Sequence, residues 1–309
     1  YTDMLRELAK EEGLLGEIFT QAQNRFNNPV SLKKLLNLIE EDEWTSMDVD
    51  VKGAAFEGLL EKAASEGKKG AGQYFTPRPL IQSMVRLMKP DPRGNKNFTI
   101  SDPACGTGGF LFTAHNYITV HNKSLTREQL KHLKEKAFTG YELVQGTARV
   151  CAMNMMLHGI GSEKSVPVVV GDALAADPGE RFEVVLANPP FGKKSSTVIV
   201  GEDGRTSTEK DTIERDDFWA TTSNKQLNFV QHIKTLLKVH GPHGPGRSAV
   251  VVPDNVLFEG GAGETIRRKL LHECDVHTLL RLPTGLFYAQ GVKANVIFFD
   301  KKPASETPW

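Results

Sequence analysis

The sequence has few cysteines and no long hydrophobic run. Its three cysteines, Cys105, Cys151 and Cys274, form no Cys-x-x-Cys pair and are too few for a disulfide framework, which is typical of a reducing compartment. No window holds the roughly eighteen apolar residues that a membrane span needs, and the start of the chain lacks a signal-peptide pattern. We therefore predict a cytoplasmic protein. Because the chain starts with Tyr1 and ends soon after an apolar run, we expect it to be trimmed at one or both ends.

An excess of charge of either sign is also missing. The 309 residues include 38 basic and 38 acidic side chains, so the net charge is zero with histidine neutral. Proteins that bind DNA alone usually carry a basic surface, because neutralising phosphates supplies most of the affinity. The balance predicts that any nucleic-acid binding is shared with a partner.

Leucine and isoleucine residues recur at helical spacing through residues 1–67. They predict three short amphipathic helices, of which the second has Ser31 as N-cap and the third carries Phe56, Leu59, Leu60 and Ala63. Helices this short bury little among themselves. We expect this segment, residues 1–67, to pack on a main domain, residues 68–309, or to belong to a larger helical module.

The apolar run at residues 182–188 reads as a buried strand that ends in Asn188, Pro189, Pro190 and Phe191. Two prolines cannot donate ladder hydrogen bonds, so the strand stops there and a stiff turn follows. A flat ring with an exocyclic amine could donate to the Asn188 side-chain oxygen and the Pro189 carbonyl and stack on Phe191. This chemistry fits an adenine flipped out of a duplex. The alternative is that the prolines merely end the strand and Phe191 packs inside.

Three more predicted strands end in a carboxylate. Residues 98–102 end at Asp102, residues 137–142 at Glu142 and residues 166–172 at Asp172. Helical stretches separate these strands, and open α/β sheets place ligands at the carboxyl ends of their strands. About seven strands are predicted in all, with the last at residues 248–253, 276–282 and 294–299.

A glycine-rich loop, Gly106-Thr107-Gly108-Gly109, follows Asp102. Glycines permit a tight turn and close backbone approach to a ligand, and Asp102 could pair with an ammonium group there. The loop lacks the Gly-Lys-Ser/Thr of a phosphate loop and departs from the dinucleotide pattern. The alternative interpretation of the loop is a tight turn that binds no ligand. Upstream, Gln-Tyr-Phe-Thr-Pro-Arg at residues 73–78 opens a predicted helix with Thr76 as its cap. The free amides at the start of this helix could bind a carboxylate such as that of a methionine moiety. The alternative is an ordinary capped helix with two aromatic residues in the core.

Together these motifs resemble the modification (M) subunit of type I restriction-modification systems, an adenine-N6 DNA methyltransferase. The resemblance covers roughly residues 53–300 and depends on three segments, at residues 73–78, 102–111 and 187–192. It implies an α/β fold: a Rossmann-like S-adenosylmethionine-dependent methyltransferase sheet of about seven strands over residues 68–309, preceded by the small helical segment.

The resemblance also implies a role for each motif. Asn188, Pro189, Pro190 and Phe191 would be catalytic and hold the target adenine. Asp102 would lie near the amino group of S-adenosylmethionine, Glu142 would bind its ribose, and Asp172 and Ala173 would bind its adenine. Gly106 would also bind the cofactor. The methionine part would contact the remaining predicted cofactor residues, which are Gln73, Tyr74, Phe75, Thr76, Pro77, Arg78, Thr107, Gly108 and Gly109. No metal is predicted, because His272, Cys274 and His277 lack a fourth ligand.

The implied partners are double-stranded DNA, a DNA-specificity (S) subunit with two M subunits attached, and a restriction (R) subunit. Other functions remain open: N4-cytosine DNA, ribosomal-RNA guanine or protein-glutamine methylation, or a catalytically idle scaffold in a DNA-binding assembly. The polar residues 193–228 are too long for an ordinary connection and predict a mobile flap, ordered only with DNA or a partner.

Overall fold

A computed structural model describes the chain at residues 1–44, 46–47, 51–53, 55–56, 58–59, 62, 76–191, 196–200, 206–210, 212–239, 241–287 and 293–306. Its strands are β1 (Ile100–Asp102), β2 (Phe138–Glu142), β3 (Val168–Val170), β4 (Val184–Ala187), β5 (Ser196–Val200), β6 (Thr206–Lys210), β7 (Arg247–Pro253), β8 (Asp275–Arg281) and β9 (Ala294–Asp300). Its helices are α1 (Thr2–Leu8), α2 (Gly13–Phe19), α3 (Pro29–Glu40), α4 (Arg78–Met88), α5 (Gly109–His121), α6 (Arg127–Glu135), α7 (Gln145–Leu157), α8 (Lys225–Leu236), α9 (Asp254–Phe258) and α10 (Ala262–Glu273).

Seven of these strands form one sheet in the order β3-β2-β1-β4-β7-β9-β8. The strands from β3 to β7 are parallel, and β9 runs antiparallel to both of its neighbours. The order reverses between β1 and β4, which is where such sheets open a crevice at their carboxyl edge. The predicted α/β sheet of about seven strands is confirmed. Among the described residues, no helix has the length and apolar character to cross a bilayer.

Helices cover both faces of the sheet, and β4 shows why its sequence is a continuous apolar run. Val184 and Leu186 join the hydrophobic cluster that α4, α5 and α7 also build. Val185 and Ala187 join the cluster that α8 and α10 build on the opposite face. Side chains alternate between the faces of a strand, so a strand covered on both faces is apolar at every position.

The first predicted helix is two helices, α1 and α2, and α2 packs on the sheet domain. Leu14 and Ile18 of α2 are buried against Ala152 of α7. By contrast, α3 buries none of its residues against the described chain. Its predicted N-cap was wrong: Asn28, not Ser31, caps the helix, because the Asn28 side chain accepts from the amide of Val30. The described residues between 51 and 59 are helical, whereas Leu60, Ala63 and the predicted domain boundary at 67 lie outside the described residues.

Two other helices begin where side-chain caps place them. Asn224 accepts from the amides of Gln226 and Leu227, so α8 begins at Lys225. The unpredicted helix α6 starts with a capping box between Thr126 and Gln129. Both caps are visible in the sequence as ordinary start signals.

The stretch predicted as a continuous flap contains regular and packed structure. β5 and β6 pair as an antiparallel ribbon, and Trp219 and Ala220 pack against the hydrophobic cluster that α8 helps to build. Arg215 forms two hydrogen bonds to Asp217, of 2.9 and 2.7 Å, and donates to the carbonyl of Leu174 at 3.3 Å. Gln231 of α8 accepts from the amides of residues 219 and 220. These contacts contradict the flap for residues 212–224, since buried polar partners fix them without DNA.

Acid should destabilise this packed segment through His232. Burial and the positive charge of Arg215 lower the pKa of His232 from 6.5 to about 4, with Asp217 and Asp177 opposing and Arg181 reinforcing the shift. Because the unfolded chain takes up a proton near pH 6.5 and the folded chain only near pH 4, the free energy of unfolding should fall as the pH drops through this window, by up to about 3 kcal/mol. Denaturant unfolding between pH 7 and 4 measures this.

The matched control is His232→Gln, which keeps a polar side chain of similar size but does not titrate. Its pH slope between 6.5 and 4 should be shallower than that of the wild type. Equal slopes in the two proteins would exclude His232 as the cause.

Candidate active site

The four predicted strand-end residues follow neighbouring parallel strands at one edge of the sheet. Asp102 is in register with Gly140, and two residues further along β2 Glu142 is in register with Val170, the last residue of β3. Asp172 follows β3, and Asn188 directly follows β4, which pairs with β1 on its other side. The sheet therefore brings all four to its carboxyl edge.

The glycine loop turns tightly between β1 and α5. Gly106 and Gly108 have φ values of +53° and +86°, which L side chains rarely adopt. A Cβ on Gly108 would lie 2.8 Å from the Cys151 sulfur, whereas the space beside Gly106 is open. Glu142 accepts from the amide of Gly106 at 3.2 Å, so the end of β2 holds the loop. The loop is thus closed on the helix side and open over Gly106.

Asp102 is 1% exposed and accepts from the amide of Ala104 at 3.0 Å. Burial raises its pKa to about 8, the Ala104 hydrogen bond works in the opposite direction, and the charge of Glu142 adds to the rise. A buried carboxyl with a raised pKa at a sheet edge is a candidate for binding a cation, which would return it to the ionised form.

The Asn188 side chain is held at one end and open at the other. Its amide nitrogen donates to the hydroxyl of Thr76 at 2.8 Å. Its oxygen is buried and has no hydrogen-bond partner among the described residues. Leaving a buried acceptor unpaired costs about 1–3 kcal/mol. The arrangement therefore presents an oriented acceptor that a ligand N–H can satisfy.

The aromatic residue after the prolines borders the same site, and we call Asn188, Pro189, Pro190 and Phe191 together the proline corner. Phe191 is partly buried against the core, and its ring meets that of Phe287 edge to face, with the centroids 5.7 Å apart. Pro189 is buried and Pro190 exposed. The corner thus combines a polar acceptor with an aromatic surface.

Thr76 differs from its predicted role. The helix begins at Arg78 after Pro77, with no side-chain cap, because the Thr76 hydroxyl accepts from Asn188 instead. Gln73, Tyr74 and Phe75 lie outside the described residues.

Asp172 is exposed and accepts from the amide of Leu174 at 2.9 Å, and Ala173 lies beside it.

Two residues at this site were missed in the sequence. Gln226 donates to the carbonyl of Pro190 at 2.9 Å, and Phe287 meets Phe191. Both are distant from the motifs along the chain, so no local pattern could have revealed the contacts.

Residues 47–308 match the family profile described as N-6 DNA Methylase. The chain belongs to the N-6 DNA methylase family. Among its relatives is the StySPI methylase subunit of the type I restriction enzyme from Salmonella potsdam, which is 43% identical over 97% of this chain and 55% of that protein. The predicted resemblance is confirmed at this level.

Solved structures of N-6 DNA methylases and of other methyltransferases share the fold. The crystal structure of the EcoKI M protein superposes with a TM-score of 0.62 at 36% identity, covering 99% of this chain and 54% of the other. A Listeria monocytogenes structure assigned to the class I S-adenosylmethionine-dependent methyltransferases gives a TM-score of 0.63 at 16% identity, covering 100% and 87%, and supports the fold alone. The chain spans about half the length of the curated relatives that it matches.

Proposed function

We propose that this N-6 DNA methylase transfers the methyl group of S-adenosylmethionine to the N6 amino group of an adenine flipped out of double-stranded DNA. The unpaired, buried oxygen of Asn188 is the observation that carries the proposal. It is an acceptor without a donor, and the exocyclic amine of adenine is such a donor. The carbonyl of Pro189 would accept the second N–H, and Phe191 would stack on the ring.

The residues of the glycine loop fit S-adenosylmethionine. The open space over Gly106 admits a ligand close to the backbone, and Asp102 would pair with the cofactor's ammonium group. Glu142 would bind the ribose hydroxyls, and Asp172 with Ala173 the adenine. Thr76, Pro77, Arg78 and residues 107–109 would border the methionine part, as would Gln73, Tyr74 and Phe75.

Bound S-adenosylmethionine would supply an electrophilic methyl group. An aromatic amine is a poor nucleophile because its lone pair is delocalised into the ring. Acceptors at Asn188 and Pro189 favour a more pyramidal nitrogen and stabilise the positive charge that develops on it. Stacking on Phe191 holds the amine in line with the methyl group. The bond between the methyl group and the sulfonium sulfur would break as the N–C bond forms, which leaves a neutral thioether. Asn188 and the Pro189 carbonyl are not bases, so the nitrogen would lose its proton to water after methyl transfer.

The assembly proposed for the protein is the modification part of a type I restriction-modification complex, in which two copies attach to one DNA-specificity subunit and a restriction subunit joins. The names of the curated relatives support this assignment. So does the net charge of zero, because a chain without basic excess needs a partner to supply affinity for DNA.

The test is transfer of tritiated methyl groups to defined duplexes, with and without the specificity partner, followed by identification of the labelled nucleoside. We expect label in N6-methyl-2′-deoxyadenosine from the duplex that carries the recognition sequence, and only with the partner present. Label in N4-methylcytosine, in RNA or in protein would refute the substrate. If the complete assembly transfers no label to any substrate, the protein is a catalytically idle scaffold and the proposed activity is refuted.

A further inference from the structure

Gln226 connects the first turn of α8 to the proline corner. Its side chain is 3% exposed, and its Nε2 donates to the carbonyl oxygen of Pro190 at 2.9 Å. This carbonyl is next to the one that would accept from the target amine. The contact joins residues that lie 36 positions apart in the chain.

The donor is itself held in place. Asn224 accepts from the amides of Gln226 and Leu227 at 3.0 and 3.2 Å, and its own nitrogen donates to Glu259 at 2.6 Å. Gln226 therefore extends from a capped and anchored helix start and not from a loose loop. A donor on such a support can fix the direction of the group that it contacts.

The torsions of the corner show what this hydrogen bond controls. The rings of Pro189 and Pro190 fix their own φ angles, and a following proline restricts the ψ angles of Asn188 and Pro189. Pro190 is followed by Phe191, so the ψ angle of Pro190 is the soft backbone torsion left between the acceptors and the Cα of Phe191. Rotation about that torsion turns the Pro190 carbonyl and moves the Phe191 Cα, from which the ring extends. A hydrogen bond to the carbonyl therefore fixes the base of the Phe191 side chain, while the edge-to-face contact with Phe287 holds the ring itself.

We propose that Gln226 is a positioning residue that aims Phe191 at the target base by fixing the peptide plane after Pro190. This inference rests on the proposed function, which assigns Phe191 to stacking on the target adenine. The corner is then held from two sides: Thr76 orients the Asn188 side chain, and Gln226 orients the stacking ring.

The test compares Gln226→Glu and Gln226→Met with the wild type in the full-length protein and its complete assembly. Both variants remove the donor at nearly constant volume. We expect kcat for methyl transfer to fall by about tenfold, with the KM for DNA and the Kd for S-adenosylmethionine within about twofold of the wild type, because misplacement of a reacting group acts on the chemical step.

The matched control is Asn228→Asp. Asn228 is 1% exposed on the same helix and donates from its side chain to the backbone carbonyl of Thr222 at 2.9 Å, so this substitution removes the same kind of bond away from the corner. It should lower Tm about as much as Gln226→Glu and leave kcat unchanged. Loss of kcat in the control equal to that in the Gln226 variants would show a structural effect and overturn the proposal.

A second measurement does not depend on methylation. With 4-fluorophenylalanine at position 191, the fluorine resonance of the DNA-free protein should be narrow in the wild type and in Asn228→Asp, and shifted or broadened in both Gln226 variants. An unchanged resonance in the Gln226 variants would overturn the proposal even if kcat fell. If the wild type methylates no adenine, the proposed function fails, while the resonance still decides whether Gln226 positions the ring.

Discussion

Replacing Asn188 by alanine should lower kcat by about a hundredfold or more while the Kd for S-adenosylmethionine changes little. The Asn188 oxygen is a buried acceptor that lacks a partner among the described residues, so alanine removes the group proposed to bind the developing charge on the amine. The cofactor would lie over the glycine loop and make no use of this oxygen. Single-turnover methylation with saturating cofactor measures the loss, and calorimetry measures cofactor binding.

The control for this prediction is Asn95→Ala. Asn95 is also a largely buried carboxamide, but its nitrogen donates to Glu183 at 2.6 Å, before β1 and away from the carboxyl edge. Its loss should lower Tm without lowering kcat. A methylation rate in Asn188→Ala equal to that of the wild type would refute the assignment of Asn188.

The corner and the glycine loop were predictable because their signals are local. The two prolines end β4 just before Asn188 wherever the strand lies, and the positive φ angles of Gly106 and Gly108 favour glycine in the loop. Alternation of strands and helices then places Asp102, Glu142 and Asp172 at the same edge. These features follow from the order of residues alone.

The contacts that complete the site were not predictable in this way. Thr76 has the sequence context of a helix cap, yet its hydroxyl accepts from Asn188, 112 positions away. Tertiary partners override a local preference when they satisfy a buried group. The packed residues 212–224 show the same effect, since Arg215 meets His232, and Asp217 accepts from Thr235, only once α8 is in place. A polar composition alone therefore indicated a flap.

S-adenosylmethionine binding should depend on pH through Asp102. The pKa of the Asp102 carboxyl is raised to about 8, chiefly by burial, so this group is mostly protonated at neutral pH in the free protein. Pairing with the cofactor's ammonium group requires the carboxylate. Binding near pH 7 should therefore release a proton, and affinity should rise with pH, by at most about tenfold per unit, until pH 8.

Above about pH 8 the trend should reverse, because an ordinary α-amino group loses its own proton near this pH. Affinity should then be highest near pH 8, with proton release below and proton uptake above it. Calorimetry in buffers of different ionisation enthalpy measures both the affinity and the sign of the proton transfer.

Asp102→Asn separates the carboxyl from other titrating groups. It should weaken cofactor binding by about tenfold to a hundredfold at pH 8, the loss expected for a charge-assisted hydrogen bond. The rise between pH 6 and 8 should disappear, because asparagine has no proton to release, while the fall above pH 8 should persist. A wild-type affinity that does not vary between pH 6 and 7.5 would show that Asp102 does not pair with the ammonium group.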